Sequence, residues 1–337
     1  MRLTCSLATL ALVLGGCAKD PEAEDDPGVS GTTTSPDSSS GVSASTSTST
    51  GEMTSEPTPE SESGSDETRG VPVFDFGVIP DAPIPDDAGC KGIDFLFVID
   101  NSGSMGAQQG QLLASFPGFI SGIQNSLENV SSYHVGVITS DAYTANEPGC
   151  TTIGDLVTRT QAGGECGPFE QGGRFATHQD DLETVFPCMA NVGTFGSPIE
   201  QPVTASIAAL SEEKAESGAC NEDFLRSDSI LVLVIVTDDP PYDFDMDDAH
   251  PLTDTSGWYA AIIDAKGGNP EAVVVIGFIP WMDITCNGAE SPNLIGFLDS
   301  FGEQGIKASI CEPDFGPVFE STVETIQFTC DNYIPQG

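Results

Sequence analysis

Three oxygen-bearing side chains, one carboxylate and two hydroxyls, follow an apolar segment at alternate positions. The segment Ile93-Asp-Phe-Leu-Phe-Val-Ile99 leads into Asp100, Ser102 and Ser104, and Gly103 lets the backbone turn tightly. Ligands of open α/β sheets bind at the carboxyl ends of the strands. Carboxylate and hydroxyl oxygens suit Mg²⁺ or Mn²⁺ better than zinc. These residues therefore predict a divalent metal site at one edge of a sheet.

Two other interpretations of this segment explain less of it. A helix N-cap accounts for one hydroxyl, but not for the alternate spacing of all three groups. A serine hydrolase is a further alternative, because Ser102-Gly-Ser104-Met-Gly106 nearly matches the G-x-S-x-G turn, although the first Gly is missing. Of the three histidines, only His250 follows a candidate acid late in the chain. We therefore expect a protein without catalytic activity.

The string DFLFVIDNSGSM, from Asp94 to Met105, resembles the first loop of a von Willebrand factor A (VWA) domain, Asp-x-Ser-x-Ser, where the metal-ion-dependent adhesion site begins. The resemblance implies a VWA domain over residues 89–335. It also implies a Rossmann-like α/β fold, in which a doubly wound, mostly parallel six-stranded sheet carries helices on both faces. By the same resemblance Asp238, which follows the apolar run 230–237, holds a metal-bound water. The implied ion is Mg²⁺, with Mn²⁺ or Ca²⁺ as alternatives.

The second loop of the predicted site departs from the family pattern. VWA domains of the adhesion type usually place a Thr there, whereas this chain has Glu200-Gln-Pro near the expected position, and Thr194 or Ser197 would need an unusual loop path. Glu200 is therefore predicted to face the metal directly or through water, which would bind the ion more tightly and leave it less electrophilic. The alternative is a helix N-terminal acid favoured by the macrodipole.

The first 17 residues have the features of an export signal: Arg2, an apolar core over residues 3–14, and then Gly15-Gly16-Cys17. Leu14-Gly-Gly-Cys17 resembles the lipobox of bacterial lipoproteins, which implies that Cys17 carries the lipid. Ala18 after that cysteine points, in those families, to the outer membrane, with the protein facing the periplasm or the outside. We expect contact with the membrane through this anchor alone, because no other apolar run approaches about 18 residues.

Residues 18–88 are rich in Ser, Thr, Gly, Pro and acids, with 16 carboxylates against Lys19 and Arg69. Such a segment buries too little apolar surface to offset its ordering entropy, so we predict a disordered tether between the lipid and the domain. From Cys90 onward there are 36 acids and 7 Lys or Arg. This balance excludes a nucleic-acid partner and favours divalent cations and basic partners, or adaptation to a salty medium.

Eight cysteines remain after Cys5 in the signal and Cys17, and their even number in an exported domain predicts disulfide bonds rather than zinc sites. Eight cysteines allow 105 connectivities. The expected strand and helix order favours four pairs: Cys90–Cys330, Cys286–Cys311, Cys188–Cys220 and Cys150–Cys166.

Strands and helices alternate along the domain, which indicates a doubly wound sheet. We place five of the six expected strands at residues 92–100, 133–139, 230–237, 271–279 and 306–310, and a long insertion at residues 142–178.

The segments GVITSD, EQPVTASIAAL and SICEPDFGP resemble lipoprotein VWA members of predatory and gliding bacteria. The implied function is adhesion to a protein partner through the metal, with specificity set by the insertion and by the acidic run 239–248. The alternative is a structural or assembly protein whose metal only holds loops together.

Overall fold

The computed structural model describes residues 89–126, 130, 132–238, 255–281 and 290–334. All of these belong to one compact unit, Asp75–Gly337. The predicted signal, Cys17, the linker 18–88, the acidic run 239–248, His250 and Cys286 lie outside the described residues.

The described residues form a six-stranded sheet with the strand order β3-β2-β1-β4-β5-β6. The strands are β1 (Gly92–Ile99), β2 (Ser132–Thr139), β3 (Ala176–Thr177), β4 (Ser229–Val236), β5 (Val273–Ile279) and β6 (Gly305–Ser309). Every pair is parallel except β2 with β3. The prediction of a mostly parallel six-stranded α/β fold is therefore confirmed. The sixth strand is the two-residue edge strand β3, which lies inside the predicted insertion.

Helices cover both faces of the sheet. They are α1 (Gly106–Ser126), α2 (Leu182–Met189), α3 (Pro202–Ala209), α4 (Glu212–Ala215), α5 (Thr255–Asp264), α6 (Pro292–Asp299) and α7 (Gly316–Asn332). Side chains alternate along a strand, so Phe95 and Phe97 of β1 face the core formed with α1, α2 and α7, whereas Leu96 and Val98 face the core formed with α3, α5 and α6. In the described part of the chain, no helix has both the length and the apolar character needed to cross a bilayer.

The strand order places a topological switch point between β1 and β4. The chain leaves β1 to form β2 on one side, and later returns to form β4 on the other side, so the connections diverge at this pair. A crevice opens at such a point beyond the carboxyl ends of the two strands. Asp100 directly follows β1 and Asp238 follows β4 by two positions. The fold therefore brings the two predicted carboxylates to the same edge of the sheet.

A buried ionic network ties β1 to the loop before β4 at the opposite end of the sheet. The carboxylate of Asp94 is fully buried and accepts hydrogen bonds from the backbone and side-chain nitrogens of Arg226, both at 2.8 Å. Nδ1 of His134 lies 3.6 Å from the same carboxylate and 2.7 Å from the Phe224 carbonyl oxygen. Lys266 donates to the Arg226 carbonyl, and burial lowers the pKa of Lys266 to about 8.

Three disulfide bonds join described residues: Cys90–Cys330, Cys150–Cys220 and Cys166–Cys188. The first was predicted, but the predicted pairs Cys150–Cys166 and Cys188–Cys220 are wrong. Cys311 is also disulfide-bonded, while its predicted partner Cys286 lies outside the described residues.

The two wrong pairs share one physical cause, which is that the insertion packs against neighbouring segments and its two cysteines bond to those segments rather than to each other. It spreads over the β2 edge, where the N–H of Val157 donates to the Val137 carbonyl at 2.8 Å. Asn221, next to Cys220, binds the insertion through Leu156 N and Gly154 O. The insertion is therefore bonded to the loop after α4 through Cys150 and to α2 through Cys166.

Candidate functional site

Asp100 extends the pairing of β1 with β4 by one residue and is fully buried. Its backbone N–H donates to the Val236 carbonyl at 3.0 Å. One carboxylate oxygen accepts from the backbone N–H of Ser102 at 2.7 Å, and the other accepts from the Thr237 hydroxyl at 2.6 Å. The carboxylate is therefore fixed by β1's own loop and by the end of β4.

The predicted ligands form a row across the switch point, in which the Asp100 carboxylate is joined to Ser102 through the backbone N–H of Ser102. The hydroxyls of Ser102 and Ser104 lie 3.2 Å apart, and the Ser104 hydroxyl donates to Oδ1 of Asp238 at 2.9 Å. Asp100, Ser102 and Asp238 are buried, whereas Ser104 is exposed. The row thus begins on a buried carboxylate and reaches solvent at Ser104.

The second loop, residues 193–201, is attached to the ends of β1 and β2 at several points. The side-chain amide of Gln109 donates to the carbonyl oxygens of Asp100 (3.0 Å) and Gly193 (2.8 Å). The N–H of Gly196 donates to the Asn101 carbonyl at 2.8 Å, and a Cβ at Gly196 would lie 2.4 Å from the Asn101 side chain. A side chain at position 196 would therefore require the Asn101 side chain to move.

Glu200 lies beside the end of β2 rather than in the first turn of α3. It is fully buried, and its carboxylate accepts a hydrogen bond from the Ser140 hydroxyl. The N–H of Gln201 donates to the Ser140 carbonyl at 3.0 Å. Since Ile99 pairs with Thr139, the following residues Asp100 and Ser140 are neighbours across the sheet. Glu200 therefore adds a carboxylate to this edge, on the far side of Asp100 from Asp238.

Ser197 and Thr194, the two residues that would need an unusual loop path, lie at different places along the second loop. Ser197 Oγ accepts from the backbone N–H of Ile199 at 3.0 Å, and its own N–H donates to Asp141 Oδ2 at 2.6 Å. Thr194 lies beside the start of α1, where its methyl group would be 3.8 Å from a Cβ on Gly106.

The donor set fits a hard divalent cation. Two carboxylates and two hydroxyls supply oxygen atoms only, which suits Mg²⁺ or Mn²⁺. Within the described ranges, no group of three or more His, Cys, Asp or Glu side chains is placed to hold a metal. Such a site would therefore depend on Ser102 and Ser104 for part of its coordination.

The described histidines lie away from Ser104. His134 pairs with Asp94 in the sheet register, six residues before Asp100, which corresponds to roughly 20 Å along the strand. His178 is exposed and contacts the ring of Tyr133. Within the described residues, the hydroxyl of Ser104 is thus oriented by a carboxylate rather than by an imidazole.

Two features of the site were not predicted from the sequence. Gln109 is buried and holds both loops, and its position on the inner face of α1, one turn after the Ser-rich loop, is the signal that marks it. Phe195, at the tip of the second loop, is 87% exposed. It lies between Gly193 and Gly196, which both make hydrogen bonds to neighbouring segments.

No protein-family model matches the chain, and no curated protein matches it. One similar solved structure is proximal thread matrix protein 1 from the mussel byssus, with a TM-score of 0.37, 11% identity, and coverage of 72% of this chain and 49% of that one. A human COPII-coat protein has a TM-score of 0.35 and 11% identity, covering 72% and 33% of the two chains. This chain thus spans about half and about a third of their lengths.

Proposed function

We propose that this protein is a cell-envelope lipoprotein whose α/β domain is a VWA domain that binds a protein partner through a divalent metal ion, without catalysis. The observation that carries the proposal is the row of oxygen atoms from Asp100 through Ser102 and Ser104 to Asp238, placed at the switch point of the sheet. Cys17 would hold the lipid at the outer membrane, and residues 18–88 would give the domain reach.

In this proposal the two carboxylates and the two hydroxyls contribute differently to binding the ion. Asp100 and Asp238 supply negative charge, while the neutral hydroxyls of Ser102 and Ser104 add ligands without adding charge. A bound Mg²⁺ would supply positive charge that is only partly compensated and thus attracts a carboxylate of the partner. The exposure of Ser104 supports an open side toward solvent.

An alternative function gives the metal a structural role. Glu200 supports it, because a further buried carboxylate beside Asp100 can complete the charge around an ion. In that case the ion would hold together the loop after β1, the second loop and the loop after β4, and the partner would bind elsewhere.

Mg²⁺ titration of the intact domain separates these functions. Calorimetry should show one site per chain that is lost in Asp100→Ala and kept in Glu324→Gln, an exposed carboxylate on α7. Capture of envelope proteins should then require Mg²⁺, should stop with chelator, and should fail for Asp100→Ala. Absence of Mg²⁺ binding would refute the metal site. If Mg²⁺ raises the melting temperature but capture survives Asp100→Ala, the structural function is correct.

A further inference from the structure

A cleft of about 570 Å³ opens beside the candidate metal site, between the start of the insertion and the second loop. The residues that line it include Asn101, Asp141, Tyr143, Gln161, Phe195 and Ser197. Asn101 stands between Asp100 and Ser102 in the chain, so the cleft adjoins the row of metal-site oxygens. The cleft and the candidate metal site therefore share the loop that follows β1.

Three oxygen atoms of the cleft residues accept no hydrogen bond from any described residue: Asn101 Oδ1, Asp141 Oδ1 and the Tyr143 hydroxyl. Asn101 is 3% exposed and Tyr143 is 4% exposed. Asp141 Oδ2 is already used by the N–H of Ser197 at 2.6 Å, which fixes the carboxylate in place. Burying polar atoms without partners costs free energy, so a ligand that donates hydrogen bonds would gain from entering.

We infer that this cleft receives the guanidinium group of an arginine side chain on the protein partner. This inference rests on the proposed function, because it names a second contact of the same partner next to the metal. A guanidinium carries five N–H donors in one plane, which suits acceptors on three different residues. Asp141 supplies the opposite charge. The excess of acidic residues from Cys90 onward, 36 against 7 Lys or Arg, adds to the attraction.

The rim of the cleft favours arginine over lysine. The ring of Phe195 is 87% exposed and lines the cleft, so a planar cation can stack against it. A lysine ammonium is more strongly hydrated and places its donors around a single point. Burial raises the pKa of Tyr143 to about 12, so its hydroxyl stays neutral and keeps a lone pair for a donor.

Small arginine derivatives whose amino and carboxyl groups are blocked test the inference without a partner. N-acetyl-arginine methylamide should shift the NMR signals of the Asn101 side-chain amide and of the Gly196 and Ser197 N–H groups of the full domain. The citrulline analogue has nearly the same shape without the charge and should bind at least roughly tenfold more weakly, since a charge-assisted bond is lost. The lysine analogue should also bind more weakly. Equal binding of either analogue, or no shift with arginine at tens of millimolar, would overturn the assignment.

Variants then locate the binding. Asp141→Asn keeps an oxygen for the N–H of Ser197 but replaces the free acceptor with a donor, so arginine affinity should fall roughly tenfold. Tyr143→Phe should weaken binding without unfolding the domain, because the hydroxyl bonds to no described residue. The matched control is Glu170→Gln, which removes one exposed negative charge from the same insertion. Equal losses in Asp141→Asn and Glu170→Gln would show a general charge effect and overturn the inference.

Failure of the inference and failure of the proposed function give different results. The arginine probe has no carboxylate, so its binding should persist in chelator. Arginine binding without any Mg²⁺ binding would refute the metal site and keep the cleft. Mg²⁺ binding without arginine binding would refute the arginine cleft and keep the metal site.

Discussion

Ser104 donates its hydroxyl to Asp238 across 134 residues of sequence and thereby joins the loop after β1 to the loop after β4. This bond crosses the switch point of the sheet, where the crevice opens. It also makes Ser104 a direct link between Asp238, which follows β4, and the loop that Asp100 begins.

Replacing Ser104 by alanine should separate metal binding from stability. Because Ser104 is exposed, its lost hydrogen bond should lower the free energy of unfolding by about 1 kcal/mol or less. Loss of a ligand oxygen should lower Mg²⁺ affinity roughly tenfold or more, as calorimetry will show. The control is Ser121→Ala, an exposed serine on α1. Unchanged Mg²⁺ affinity in Ser104→Ala would remove this hydroxyl from the site.

Gln109→Met should loosen the second loop. The change keeps the length of the side chain but leaves the carbonyl oxygens of Asp100 and Gly193 without this donor, at a cost of about 1–3 kcal/mol. Amide hydrogen exchange of Gly196 and Ser197 should become faster, and urea unfolding gives the stability loss. Gln108→Met is the matched control, since its side-chain oxygen accepts nothing from the described residues. Equal effects of the two variants would contradict the function of Gln109 as the link.

The disulfides should differ in their contribution to stability. In the chain-entropy model, a bond that closes a longer loop restricts the unfolded chain more, and the separations are 240 residues for Cys90–Cys330 and 22 for Cys166–Cys188. Replacing both cysteines of the first pair by alanine should therefore cost about 2 kcal/mol more than doing so for the second. Urea unfolding of the two double variants measures the difference. A non-reducing peptide map should show the three pairs found here, and a Cys150–Cys166 peptide would contradict them.

Acid should destabilise the domain through His134. Burial, the largest effect, lowers the pKa of His134, and Arg226 and His178 lower it further, against an opposing contribution from Asp94. Between that lowered value and about 6.5, the unfolded chain binds more protons than the folded one, so stability rises with pH through this window. His134→Asn keeps a donor near the Nδ1 position and removes the titration. Urea unfolding at pH 5 and pH 7 should show a smaller difference for this variant than for the native chain.

Five of the six strands were predicted from the sequence, whereas the edge strand β3 and the path of the insertion were not. Strands such as β4 are continuous apolar runs with a carboxylate shortly after their last residue, so both their position and their functional end are visible. The strand β3 has two residues, Ala176 and Thr177, which is too short for any periodicity. The disulfides of Cys150 and Cys166 depend on how the insertion lies over β2, and its Gly-rich sequence carries no pattern that specifies this.

The candidate site was predictable in its first and third loops and less so in its second. Asp100 directly follows β1 and Asp238 comes two residues after β4, and the pairing of β1 with β4 brings both to the same edge of the sheet. The contacts of Glu200 with Ser140, and of Gln109 with Gly193, join segments far apart in sequence. A polar side chain in such a contact looks like any other in the sequence, so only the folded chain reveals it.

The Cys90–Cys330 bond determines how the domain would carry a mechanical load. Cys90 precedes β1 at the end of the sheet opposite Asp100, and the neighbouring Gly89 donates its N–H to the Tyr333 carbonyl at 3.0 Å. A pull between the N-terminal side and a partner held near Asp100 would act along β1, and α7 would stay fastened to its base. The covalent backbone of β1 would carry this force, and its eight residues, paired with β2 on one side and with β4 on the other, would keep the loaded strand in register with the sheet.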